Sequence, residues 1–114
     1  MDVAAQQQSP QSGQNQQDVT TEVRYGVLGK THNTNLFRDL LDITRSLRIK
    51  TGLSGFTGVY EDIANDIETR AQFGEKKYGT RLLTNNGRDV ILDLYQELLD
   101  ALMYSKQAEL EGKL

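Results

Sequence analysis

An all-α fold is predicted: a helical bundle of about three helices per chain, one domain at most, completed by oligomerisation and preceded by a disordered N-terminal tail. Three observations carry this prediction. Apolar residues recur at three- and four-residue spacing from Asn33 onwards, in stretches long enough for helices. Glycine clusters and an Asn-Asn-Gly sequence separate those stretches. Residues 1 to about 20 contain seven glutamines and the only proline, Pro10, with too little apolar surface to offset the entropy of ordering. Residues 1–21 are therefore read as a Gln-rich tail and 22–114 as the helical domain.

Taken in order, Glu22 to Leu28 has alternating character at Val23, Tyr25 and Val27, broken by Gly26, and reads as a short extended arm. Gly29-Lys30-Thr31 resembles the end of a phosphate-binding loop, but the glycine needed five positions earlier is Arg24, so that reading fails. Asn33 or Thr34 can cap a first helix reaching about Ile49, with Leu36, Phe37, Leu40, Leu41, Ile43, Thr44 and Leu47 as its apolar face. Its polar side, including Asp39 beside Arg38 and Asp42 beside Arg45, suits ordinary solvated pairs. Gly52, Gly55 and Gly58 form a connector rather than a dinucleotide fingerprint.

A second helix is expected from Thr57 or Gly58 to just before Gly74, burying Val59, Tyr60, Ile63, Ala64, Ile67 and Ala71. Glu61, Asn65 and Glu68 share a polar stripe on it, with Asp62 and Asp66 farther round towards solvent. Glu75 to Arg81 reads as a basic loop. Asn85-Asn86-Gly87 then supplies a turn and a cap for a third helix from Arg88 to about Glu111. Apolar residues from Val90 to Met103 cover more of that helix than one neighbour could hide, which argues for a homo-oligomer.

Composition removes several chemistries. With no cysteine and one histidine, His32, a thiolate nucleophile, a disulfide and a two-histidine metal site within one chain are excluded, so any metal must be held by oxygen. His32 itself reads as a helix-entry residue. A net charge of −3 gives no global electrostatic reason to bind duplex DNA. Lack of a basic start, of an apolar leader and of any long apolar run leads to the expectation of a soluble, cytoplasmic protein with no membrane partner.

The third helix carries the most informative pattern. Asp89, Asp93, Glu97 and Asp100, at offsets of four, four and three, fall within roughly 80° of arc. Like charges four apart oppose a helix by about 0.2–0.5 kcal/mol per pair unless a cation or basic partner offsets them. Glu97-x-x-Asp100 sets two carboxylates one turn apart, and Asp93 offers a third oxygen one turn earlier, a spacing suited to a hard divalent cation. A solvated acidic face is the competing reading.

The stretch KKYGTRLLTNNGRDVILDLYQELLDALMY resembles the metal-binding half of the MazG-like all-alpha nucleoside triphosphate pyrophosphohydrolases, especially small phage-encoded relatives. The resemblance covers about Glu61 to Tyr104. It implies an ExxE pair and an ExxD pair on successive helices holding Mg2+, and hydrolysis between the alpha and beta phosphates to a nucleoside monophosphate and pyrophosphate. Glu97 and Asp100 match the second pair. The first corresponds to Asn65-x-x-Glu68, with an amide where the leading carboxylate stands, so Asp93 or Glu61 replaces that ligand, or the chain binds nucleotide without cleaving it. The resemblance further implies Glu68 or Asp93 as general base, and Lys76, Lys77, Arg81 and Arg88 as phosphate contacts. Arg88 has an alternative role in a pair with Asp89, and Tyr78 serves either to stack on a base or to anchor the turn. The competing function is a non-catalytic phage or prophage protein, resident in the host cytoplasm, that sequesters a nucleotide or binds a host protein.

Overall fold

The computed structural model describes residues 15–53, 55 and 58–114. The expected tail over residues 1–14 and a helix start at Thr57 lie outside the described residues. Four helices and no strand are found among the described residues: α1 Val19–Val27, α2 Asn35–Thr51, α3 Val59–Tyr78 and α4 Val90–Leu110. No helix among them is long and apolar enough to cross a membrane.

The segment read as an extended arm is helix α1. Asp18 caps it by accepting from the backbone N–H groups of Thr20 and Thr21. Val19, Val23 and Val27 lie four apart, so they satisfy a helical face as well as an alternating one. Gly26 does not break the helix; it allows close approach, with the Asn33 side-chain amide donating to Gly26 O at 2.9 Å. A β-carbon there would meet Asn33 Oδ1 and the Phe37 ring. Residues 15–21, expected within the tail, are also part of the fold. Val19 N donates to Leu82 O and Thr84 N to Gln17 O, joining the first described residues to the segment before α4. An isolated antiparallel bridge links Asp18 with Leu83.

Helix α2 starts as expected, with the Thr34 hydroxyl accepting from Phe37 N, and ends two residues beyond Ile49 at a left-handed Gly52. Helix α3 passes through Gly74, which is buried within it, and stops at Gly79, where φ is 78°. Both glycines could end a helix, but Glu75, Lys76 and Lys77 between them are good helix formers. Lys76, Lys77 and Tyr78 therefore form the last turn of α3 rather than a loop.

α3 is the central element, packed against both α1 and α2. Val27, Ile63 and Ala64 are the buried hydrophobic residues, surrounded by Val23, Leu28, Phe37, Leu41, Val59 and Ile67. Arg48 ties α2 to α3 through Asp66 at 2.7 Å and also donates to Leu53 O. Tyr60, expected inside, is partly exposed beneath the Arg45 guanidinium. Asp62 is buried, contrary to its expected solvent-facing position, because its carboxylate turns towards Gly55 in the α2–α3 connector.

α4 stands apart. It has at most glancing contact with the other helices, and none of its residues is buried among the described residues. Its orientation reverses that of a usual surface helix. Asp93, Leu94, Gln96, Glu97 and Asp100 are half-covered, whereas Ile91 is 73% exposed, Leu102 68% and Met103 74%.

Candidate functional site

The first turns of α4 border a cleft of about 660 Å³ between the chain's N-terminal segment and the α3–α4 connection. Asp93, Leu94 and Glu97 form one wall, Val19 and Leu82 contribute apolar surface, and Asn85, Asn86, Gly87 and Arg88 supply polar groups. Local chemistry explains the shape. Asp89 caps α4 by accepting from Leu92 N, which fixes the helix entry. Asn86 Oδ1 accepts from Arg88 N, and Asn85 adopts a left-handed φ of 53°, a conformation Asn tolerates better than most residues. The Asn85 side-chain amide donates to Asn15 O, tying the turn to the first described residues.

Within the cleft, Arg88 meets Asp93 rather than Asp89. Nη2 lies 2.8 Å from Asp93 Oδ1 and Nε 3.3 Å from Oδ2, a two-point contact between planar groups. That hydrogen bond, aided by the nearby negative charge, raises the Arg88 pKa above its ordinary value against an opposing contribution from burial. The expected phosphate contact Arg88 and the expected metal ligands Asp93 and Glu97 are thus brought to one cleft. Asp100 continues the same stripe one turn beyond Glu97.

A second cluster gathers around Arg81. Its Nη2 lies 2.9 and 2.8 Å from the two Glu68 carboxylate oxygens, and its Nη1 also donates to Glu68 and to Glu75. Arg81 Nε is 3.4 Å from Asp18 Oδ2, an ion-pair contact rather than an aligned hydrogen bond. Arg24 adds a longer contact to Glu68 at 3.7 Å. Glu68, expected as metal ligand or base, therefore faces guanidinium groups from two directions. This hub joins α1, α3 and the α3–α4 connection. Its members Asp18, Arg24 and Glu75 were missed in the sequence because their common feature is proximity to the Arg81–Glu68 pair in three dimensions, and no spacing signals it.

Other expected site residues lie elsewhere. Glu61 is exposed in the first turn of α3, against Gly58. Lys76 and Lys77 occupy the last turn, roughly 22 Å away along the axis at 1.5 Å per residue. Lys77 holds its ammonium 5.1 Å from the centre of the partly exposed Tyr78 ring. These three residues are not joined to the cleft formed at the start of α4.

The oxygen-only donor set has the chemistry for a hard cation such as magnesium. Among the described residues, no three His, Cys, Asp or Glu side chains gather as ion ligands. Magnesium commonly uses only one or two carboxylates, with phosphate and water completing its six oxygens. Asp93 and Glu97 at the cleft are compatible with that mode. Comparison of the chain with protein-family models, curated proteins and solved structures yields no match.

Proposed function

We propose that this chain is a magnesium-dependent nucleoside triphosphate pyrophosphohydrolase, acting as a homo-oligomer in the cytoplasm, of a host cell if it is phage-encoded. The observation supporting this reading is the presence of Asp93, Glu97 and Arg88 on one cleft beside the Asn85-Asn86-Gly87 turn. Glu97 and Asp100 would hold magnesium, with Asp93 adjoining. Bound magnesium would neutralise charge developing on the phosphates. Arg88 would direct its guanidinium to a phosphate, using the two-point geometry it now offers Asp93. Asp93, released from that contact, would accept a proton from the attacking water. The apolar wall at Val19 and Leu82 would limit water around the ligand.

A second reading is favoured by a different observation. Asn65 occupies the position of a leading carboxylate, and both Glu68 oxygens receive Arg81. The chain would then retain a nucleotide without cleaving it, as a sequestering protein. Purified protein incubated with a panel of NTPs and dNTPs plus magnesium distinguishes the two. Pyrophosphate release, abolished by Glu97→Gln with folding intact, supports the hydrolase. Calorimetric binding without product supports sequestration, and no binding across the panel rejects both.

A further inference from the structure

The reversed orientation of α4 has a direct geometric meaning. At 100° per residue, Ile91, Tyr95, Leu98 and Leu102 fall within about 60° of arc, nearly opposite the stripe of Asp89, Asp93, Glu97 and Asp100. The acidic side borders its own chain's cleft, and the apolar line faces solvent. Exposed single leucines are ordinary on a protein surface, but a continuous line on a helix of 21 residues is an interaction face.

Area and charge specify an occupant. At roughly 150–200 Å² for each large side chain, this line exposes about 400 Å², and with the adjoining Leu92, Leu99, Met103 and Leu110 the face reaches on the order of 800 Å², comparable with the ~800 Å² per partner of a stable interface. A second copy supplies the same surface, as a two-fold interface requires. Residues 88–100 contain one arginine and four carboxylates, whereas 101–114 contain two lysines and two glutamates. Parallel pairing would bring together two halves of net −3. Antiparallel pairing opposes each acidic half with a balanced one and also aligns the helix dipoles favourably.

We propose that two copies pair through antiparallel α4 helices, with Leu98 and Leu99 beside the two-fold axis. This centre brings Ile91 towards Lys106 of the second copy. The interface deepens the homo-oligomeric part of the proposed function and is independent of nucleotide chemistry.

The absence of native cysteine makes directed crosslinking clean. A mixture of full-length Ile91→Cys and Lys106→Cys chains treated with a short bismaleimide should give the mixed dimer as its main product. Efficient self-crosslinking of Ile91→Cys instead would establish parallel pairing and overturn the proposal. Preferential crosslinking of Ile91→Cys to Ile43→Cys would assign the face to α2 of another copy and also overturn it.

Sedimentation supplies the second measurement. The parent chain should be dimeric at micromolar concentration, while Leu98→Glu with Leu102→Glu should weaken association by on the order of a hundredfold or more. Circular dichroism should show retained helix, because in the single chain Leu102 is 68% exposed and Leu98, at 37%, is only partly covered. A parent chain that remains monomeric at roughly 100 μM, a concentration at which a micromolar complex would form, rejects the interface. Since neither measurement contains nucleotide, a dimer without turnover would refute only the hydrolase, and turnover by a monomer would refute only this pairing.

Discussion

Replacing Arg81 with alanine removes one guanidinium that joins three segments, so the loss should exceed that of a typical surface ion pair. The Arg81 and Glu68 side chains are 23% and 26% exposed, and they meet at 2.8 Å with further contacts through both terminal nitrogens. Net contributions of hydrogen bonds to charged groups are about 1.5–3 kcal/mol in such settings. The contacts to Glu75 and Asp18 add at most about 1 kcal/mol after screening, while Arg24 continues to neutralise part of the Glu68 charge. Arg81→Ala should therefore cost about 2–3 kcal/mol, measured by urea unfolding at one protein concentration. A double-mutant cycle with Glu68→Gln should give a coupling of about 1–2 kcal/mol. Arg81→Lys should restore little, since an ammonium cannot reproduce the planar fork. An alanine variant within about 0.5 kcal/mol of the parent, the scatter common for neutral surface changes, would refute the hub's structural role.

Further predictions concern single sites. Gly26→Ala should destabilise by about 1 kcal/mol despite alanine's higher helix propensity, because the new β-carbon meets Asn33 Oδ1 and the Phe37 ring; a stabilised variant would contradict that packing. Ile63→Ala should cost about 3 kcal/mol by chemical denaturation, since Ile63 is 3% exposed at the centre of the core. Glu111 has a lowered pKa, first from the Gln107 hydrogen bond and then from Lys113. Its stabilising effect is consequently present above the unfolded carboxyl value and is lost as pH falls through the lower folded value. NMR titration should show a Glu111 midpoint below the ordinary carboxyl value, moved upwards by Gln107→Ala, and an unchanged midpoint in that variant would reject the assigned cause.

The helical class and the cap at Thr34 were legible because a short polar side chain precedes an apolar periodic stretch, whereas the α4 cap, expected from Asn85-Asn86-Gly87, is Asp89, a residue read only as part of the acidic stripe. α1 was not: Val23 and Val27 fit both helical and alternating periods, and Asp18 was hidden in a glutamine-rich sequence. The stripe on α4 follows from spacing alone. Which side turns towards the rest of the chain does not, since hydrophobicity would direct Ile91 and Leu102 inward. Arg88 paired one turn farther than expected because Asp89 is occupied at the cap, leaving Asp93 within reach. The Arg81 hub required residues 18, 68, 75 and 81 to meet, information carried by tertiary packing rather than local pattern.

Backbone pairing between Gln17–Val19 and Leu82–Thr84 makes residue 22 a poor place to trim the molecule. Excision there would remove not an inert leader but a brace for a turn more than sixty positions downstream. Such a shortened protein could preserve its downstream helices while distorting the entrance to α4, so an inactive truncation would report a damaged scaffold before it reported a missing reactive group.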